Sequence, residues 1–167
     1  KGVEPDQICV CILDRPRHAE MIKSVRATGA RVTLITDGDI SGVIYTTDPT
    51  TGIDMYMGIG GAPEGVLAAA ALRCIGGQMQ GRLVTDSEDQ KARAAKMGVK
   101  DFDKKYTMDE MATGDVIFAA TGVTDGNILE GIRHVRGGFT THSVVMRSKT
   151  GTVRYVKAMH QDIDKKK

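Results

Sequence analysis

Ile8-Cys-Val-Cys-Ile-Leu-Asp-Arg-Pro-Arg-His-Ala-Glu-Met-Ile-Lys-Ser-Val-Arg-Ala-Thr-Gly29 changes its hydrophobic period once, and that change sets the fold class. Ile8 to Leu13 is a continuous apolar run of strand length, ended by Asp14-Arg-Pro-Arg-His18. From Ala19 to Thr28 the apolar residues Met21, Ile22 and Val25 have helical spacing, and Gly29 supplies the left-handed residue that closes a helix. The unit is strand, loop, helix. Arg31 to Thr36 is the next strand, rich in β-branched residues and ended by Asp37-Gly-Asp39. Two such units in succession favour parallel pairing with helices on the faces of the sheet.

Outward from this start, Ile53 to Met57 reads as a third strand, followed by Gly58-Ile-Gly-Gly61 and a helix from Pro63 through Val66-Leu-Ala-Ala-Ala-Ala-Leu72 to Ile75. Proline in its first turn and Gly76-Gly77 past its end stand where helix termini accept them. Ser87 to Met97 is charged and helix-prone, and Thr107-Met-Asp-Glu110 opens a short helix with a capping-box pattern. Asp115 to Thr121 is a further strand, and Thr140 to Ser148 with Thr152 to Met159 flank Lys149-Thr-Gly151 as a hairpin. The expected class is α/β, a mixed, largely parallel sheet with flanking helices and a C-terminal hairpin. There are no internal repeats, and Lys165-Lys-Lys167 is expected to fray.

A chain of 167 residues holds one α/β domain with a core and is too short for two of ordinary size, so residues 1–167 are expected to form a single domain. Lysine plus arginine exceed aspartate plus glutamate by only 23 to 21, which provides no overall field for nucleic acid or an anionic membrane. A net charge of +2 still permits a local basic site for a phosphorylated small molecule. No stretch approaches the roughly 18 continuous apolar residues of a membrane helix. Cys9 and Cys11 share one face of a strand, and with Cys74 they fit buried cytosolic thiols, since a zinc site would need more ligands at its usual spacing. Gln7 to Leu13 is expected to be a strand entered almost at once, with no helix, cap or leader before it, as if a longer chain had been cut between domains.

Functional loops of an open α/β sheet gather at the carboxyl ends of its strands. The first such end carries Arg15 and Arg17 on either side of Pro16, at a helix N-terminus. Two guanidinium forks there suit a phosphate, and they suit a solvated basic turn equally. His18 reads as a helix-start residue rather than a general base. The second end is Asp37-Gly-Asp39, which can chelate a hard cation, accept from sugar hydroxyls, or simply turn the chain. The third is Gly58-Ile-Gly-Gly-Ala-Pro-Glu-Gly65, where Glu64 either complements the helix dipole or stands as a metal ligand. It is no dinucleotide fingerprint, because the third glycine of Gly58-x-Gly60-x-x-Gly would fall on Pro63, and no Gly-Lys-Ser/Thr of a P-loop follows.

Taken together, Asp14-Arg-Pro-Arg-His18, Asp37-Gly-Asp39 and Met57-Gly-Ile-Gly-Gly-Ala-Pro-Glu-Gly-Val-Leu-Ala-Ala-Ala-Ala-Leu72 resemble, in this order and spacing, the class II fructose-1,6-bisphosphatases. The resemblance continues through Met79-Gln-Gly-Arg82 and Gly114-Asp-Val-Ile-Phe-Ala-Ala-Thr-Gly-Val-Thr-Asp-Gly126 to the closing hairpin. It covers the family's C-terminal, substrate-binding half and leaves the N-terminal, metal-binding half without a matching segment.

That resemblance implies the sugar-phosphatase superfold shared with inositol monophosphatases. It also implies a cytoplasmic enzyme of gluconeogenesis, glycerol metabolism or carbon fixation, expected as a homo-oligomer. Its reaction would be in-line hydrolysis of the 1-phosphate of fructose 1,6-bisphosphate, either alone or together with sedoheptulose 1,7-bisphosphate as a second substrate, by water activated at Mn2+ or Mg2+. Arg15, Pro16 and Arg17 would line the substrate site, Asp37, Gly38 and Asp39 would contact the sugar with Gly61 nearby, and Glu64 would be the one metal ligand from this half. The remaining metal-holding and water-activating carboxylates are expected in the N-terminal half, so this chain alone is expected to be inactive. The competing expectation is a non-catalytic sugar-phosphate-binding domain.

Overall fold

The computed structural model describes residues 2–161, and the tail at Lys165 to Lys167 lies outside them. Strand β1 (Cys9–Leu13) is central, with β2 (Arg31–Ile35) on one side and β3 (Met55–Tyr56) on the other, both parallel to it. All five residues of β1 are buried, as a strand covered on both faces requires, and this is why its sequence is a continuous apolar run rather than an alternating one. Helix α1 (Ala19–Ala27) covers one face, where Ile22, Met21 and Val25 pack with Val10, Ile12 and Val32. Helices α2 (Asp39–Tyr45) and α3 (Ala62–Ile75) follow β2 and β3.

α3 is buried from two sides. Ala68 and Leu72 meet Val43 of α2 and Tyr56 of β3, while Ala71 and Cys74 meet Phe118, Val144 and Met146 of a second sheet. Its run of alanines lets backbone approach both neighbours closely, so one helix serves as the shared layer. Beyond it come a two-stranded ladder of β4 (Gln80–Gly81) with β5 (Tyr106–Thr107), and helices α4 (Glu88–Lys96) and α5 (Met108–Met111). Thr107 caps α5 through the expected capping box with Glu110.

The second sheet holds β6 (Ile117–Thr121), β7 (Arg133–Val135), β8 (Gly138–Arg147) and β9 (Thr152–Gln161). β8 pairs along its whole length with β9, from Gly138↔Gln161 to Arg147↔Thr152, while β6 and β7 pair with its two halves, all antiparallel. The mixed α/β class therefore stands, with the hairpin two residues longer at its open end than the sequence suggests. Parallel and antiparallel pairing are segregated into separate sheets. β4, β5 and β7 are strands of two or three residues, too short to leave a period in sequence. The three cysteines are free and buried.

α2 has no helical signal because Ile40, Val43 and Ile44 are β-branched and Gly42 sits mid-helix. Tertiary packing explains the glycine: a Cβ at Gly42 would come within 2.8–2.9 Å of the Tyr56 ring and the tip of Ile35. Overpacking of this kind costs about 1–3 kcal/mol, whereas the helix-propensity gain of Gly→Ala is about 1 kcal/mol. Gly42→Ala is therefore expected to lower the urea-unfolding midpoint of the 167-residue chain. Gly65→Ala in α3, where a Cβ meets nothing within 4 Å, is expected to raise it. Equal midpoints for the two variants would contradict this account of α2.

Candidate functional site

Parallel pairing of β1, β2 and β3 brings their carboxyl ends to one edge, and with them the three loops singled out in sequence. In the first loop Pro16 to His18 form a single 3₁₀ turn that leads into α1. Arg15 Nη1 donates to the carbonyl of Asp14 at 2.9 Å, and Arg17 Nε donates to the carbonyl of Ile59 in the third loop at 2.7 Å. The terminal nitrogens of Arg17 have no protein partner among the described residues.

His18 is 0% exposed. Its Nδ1 lies 2.8 Å from the Leu13 carbonyl, which can only accept, so Nδ1 carries the proton and Nε2 accepts from the Ile59 N–H at 2.9 Å. Nε2 also stands 3.1 Å from the Ile59 carbonyl. His18 does begin α1, as read from sequence, but its side chain bridges the end of β1 and the glycine-rich loop.

In the second loop Gly38 adopts φ 76°, a left-handed conformation that glycine reaches without strain, and this turns Asp37 outward and Asp39 into the first turn of α2. Asp39 Oδ1 accepts from the Ile40 N–H at 3.1 Å, and Oδ2 lies 3.7 Å from where a Gly60 Cβ would stand. Asp37 is exposed and has no partner among the described residues. In the third loop the carboxylate of Glu64 folds back over Gly61 into the place a Cβ would take, so any larger residue at Gly61 forces it to swing away. Glu64 is exposed and makes no ion pair with the described residues.

Tyr56, absent from the sequence-derived site, lies between the loops. Its ring packs over Gly42 and its hydroxyl is 3.3 Å from a Cβ built on Gly58. Burial, then the nearby charge of Asp39 and the Cys11 thiol, push its phenol up to about 12 against the opposing pull of Arg17. An aromatic residue in a strand ordinarily signals core, so nothing in the sequence marks this position.

The assembled edge therefore presents Arg15 and Arg17 beside Asp37, Asp39 and Glu64. Among the described residues no three His, Cys, Asp or Glu side chains come together to hold a metal ion. An exposed carboxylate without a protein partner among the described residues, at a glycine-rich mouth, fits one ligand of a hard divalent cation, and the described residues place no further ligands beside it as a cluster. No helix among the described residues is long and apolar enough to cross a membrane.

The family described as bacterial fructose-1,6-bisphosphatase, glpX-encoded, matches residues 1–160. The chain belongs to this class II fructose-1,6-bisphosphatase family. It is 44% identical over 93% of its length to the D-fructose 1,6-bisphosphatase class 2/sedoheptulose 1,7-bisphosphatase of Synechocystis sp.. It is 45% identical over 93% of its length to the protein of that name from Crocosphaera subtropica, and 44% identical over 96% to that of Synechococcus elongatus. The chain spans 49–50% of the length of these relatives.

The raised phenol of Tyr56 gives a pH dependence. Above the ordinary tyrosine value of about 10 the unfolded chain releases this proton, while the folded chain holds it to about 12. Stability is thus expected to fall as pH rises across that window. Asp39→Asn, by removing the negative charge that opposes tyrosinate formation, is expected to lower the Tyr56 pKa. Urea unfolding between pH 10 and 12 measures the first and titration of the Tyr56 ring carbon by nuclear magnetic resonance the second, and an unshifted curve in Asp39→Asn would separate Asp39 from Tyr56.

Proposed function

We propose that this chain is the sugar-phosphate-gripping domain of a metal-dependent bisphosphatase that hydrolyses the 1-phosphate of fructose 1,6-bisphosphate, with sedoheptulose 1,7-bisphosphate as a second substrate. The observation that carries this reading is the convergence, at one sheet edge, of two arginines and three carboxylates that protein partners leave largely unused. Membership of the family and the activity for which relatives at 44–45% identity are named support it.

In this reading Arg17, oriented by its Nε bond to Ile59, turns its terminal nitrogens to a phosphate, and Arg15 provides a second fork. Pro16 stiffens the turn between them. Asp37 and Asp39 accept from sugar hydroxyls, and Gly38 and Gly61 let backbone approach the ligand. Glu64 contributes one ligand to Mn2+ or Mg2+, whose remaining ligands come from the family's N-terminal half. When bound, the ion neutralises charge on the phosphoryl and leaving oxygens. The arginines position the substrate and form no covalent bond with it. Since this chain alone lacks a three-ligand cluster among its described residues, a second reading is favoured for the isolated chain: it binds a sugar phosphate without hydrolysing it.

The test compares the purified 167-residue chain with a full-length polypeptide carrying the family's N-terminal half. Calorimetry should detect fructose 1,6-bisphosphate binding by the chain, and phosphate release with manganese should appear only in the full-length form. Release by the chain alone, or none from the full-length form, would reject the division of labour. In the full-length form, Arg15→Ala or Arg17→Ala each removes a charge-assisted contact worth roughly 1.5–3 kcal/mol and should raise KM about ten- to a hundredfold. An unchanged KM in both would remove the phosphate from this loop.

Glu64 separates two roles in one variant. As a helix-start charge it is worth about 0.3–1 kcal/mol, and Glu64→Gln would cost only stability. As a metal ligand its loss should lower kcat by on the order of a hundredfold at limiting manganese, with partial recovery in excess metal and a nearly unmoved Tm. Near-normal kcat at limiting manganese would leave Glu64 with the helix-dipole role alone.

A further inference from the structure

The geometry points to His18 as the positioning residue that holds the glycine-rich loop, and through it Glu64, in fixed register with the arginine loop. The inference rests on the bisphosphatase reading for what the two loops bind, and on geometry alone for the tether. From Gly58 to Gly60 the backbone makes hydrogen bonds to described residues only at Ile59. Its N–H donates to His18 Nε2 at 2.9 Å and its carbonyl accepts from Arg17 Nε at 2.7 Å. Ile59 is 38% exposed, so packing anchors it only in part. A segment with three glycines in four residues, Gly58-Ile-Gly-Gly61, would otherwise sample many conformations.

His18 is itself fixed from behind, because Nδ1 donates to the Leu13 carbonyl at 2.8 Å in the fully buried end of β1. The imidazole is thus a two-ended bridge from the rigid central strand to the loop. Because Arg17 and His18 are adjacent and hold the two peptide groups on either side of the Ile59 Cα, the phosphate-facing turn and the loop that precedes Glu64 are tied together. A histidine kept only for packing would need partners for its two nitrogens, but not one partner on the central strand and the other on the glycine-rich loop. The arrangement is the one expected of an outer residue that orients groups which themselves touch ligand.

Two substitutions divide the bridge. His18→Asn can keep the donor to Leu13 and loses the acceptor for Ile59, while His18→Gln can place an amide oxygen where Nε2 stood. In the 167-residue chain, nitrogen resonances should identify the Nδ1–H tautomer of His18. Hydrogen exchange at Ile59 should quicken in His18→Asn by at least about tenfold, and less in His18→Gln. In the full-length polypeptide, His18→Asn should raise KM for fructose 1,6-bisphosphate and the half-saturating manganese concentration about ten- to a hundredfold, and His18→Gln should recover most of both. The kcat at saturating substrate and metal should stay within about threefold, because no reacting group is lost.

Unchanged Ile59 exchange with unchanged half-saturation constants in His18→Asn would reduce His18 to a core residue. An Nε2–H tautomer would overturn the bridge directly. Absence of turnover in the unsubstituted full-length polypeptide would reject the bisphosphatase reading instead, and the exchange and tautomer measurements would still decide the tether.

Discussion

Parallel pairing of β1 with both of its neighbours is the constraint on which the rest of this structure depends. A strand hydrogen-bonded on both edges and covered on both faces must be apolar throughout, and β1 is. Because its neighbours run the same way, each strand must return through a crossover, and each crossover here begins with a polar loop at the same edge. Three loops separated by some twenty residues in sequence are thereby brought side by side. The arginine turn, the Asp-Gly-Asp turn and the glycine-rich helix start need no long-range contacts of their own to meet.

A second layer of organisation comes from α3. Its alanines and Leu72 allow it to pack against α2 and Tyr56 on one side and against the antiparallel sheet on the other. A helix of larger side chains would hold these layers further apart, and the position of Glu64 in its first turn would move with them. Tyr56 ties this packing to the chemistry, since the same ring that fits against Gly42 carries a hydroxyl among the charges of the mouth.

Charges elsewhere on the molecule behave differently. Asp115 with Arg147, Asp125 with Arg133 and Glu130 with Lys157 are paired; Arg147 and Lys157 lower the pKa values of Asp115 and Glu130, while that of Asp125 is lowered first by the Gly131 N–H and then by Arg133. Lys104, with the capping bonds from Thr107, draws Glu110 down to about 2. At the loop edge, by contrast, Asp37, Glu64 and the terminal nitrogens of Arg17 have no such partners among the described residues. Unpaired charge gathered at a strand-end mouth is what a site for a charged ligand requires.

The sequence by itself determined the class of fold and the three loops, because strand, loop and helix are local and leave a period or a breaker behind. β1, α1, β2, α3, the capping box at Thr107 and the terminal hairpin were all legible in this way, as were Arg15, Arg17, Asp37, Asp39 and Glu64 as charged residues at strand ends. Their pattern also carried the family, which the comparisons bear out. Only the tertiary structure decided what depends on distance between remote segments. α2 forms against its own propensities because Gly42 must admit the Tyr56 ring, and the antiparallel pairs form two sheets apart from the parallel one. Tyr56 and His18 gain their roles the same way. A tyrosine in a strand and a histidine at a helix start look ordinary until the fold brings Asp39 near the one and the Ile59 peptide within hydrogen-bonding reach of the other.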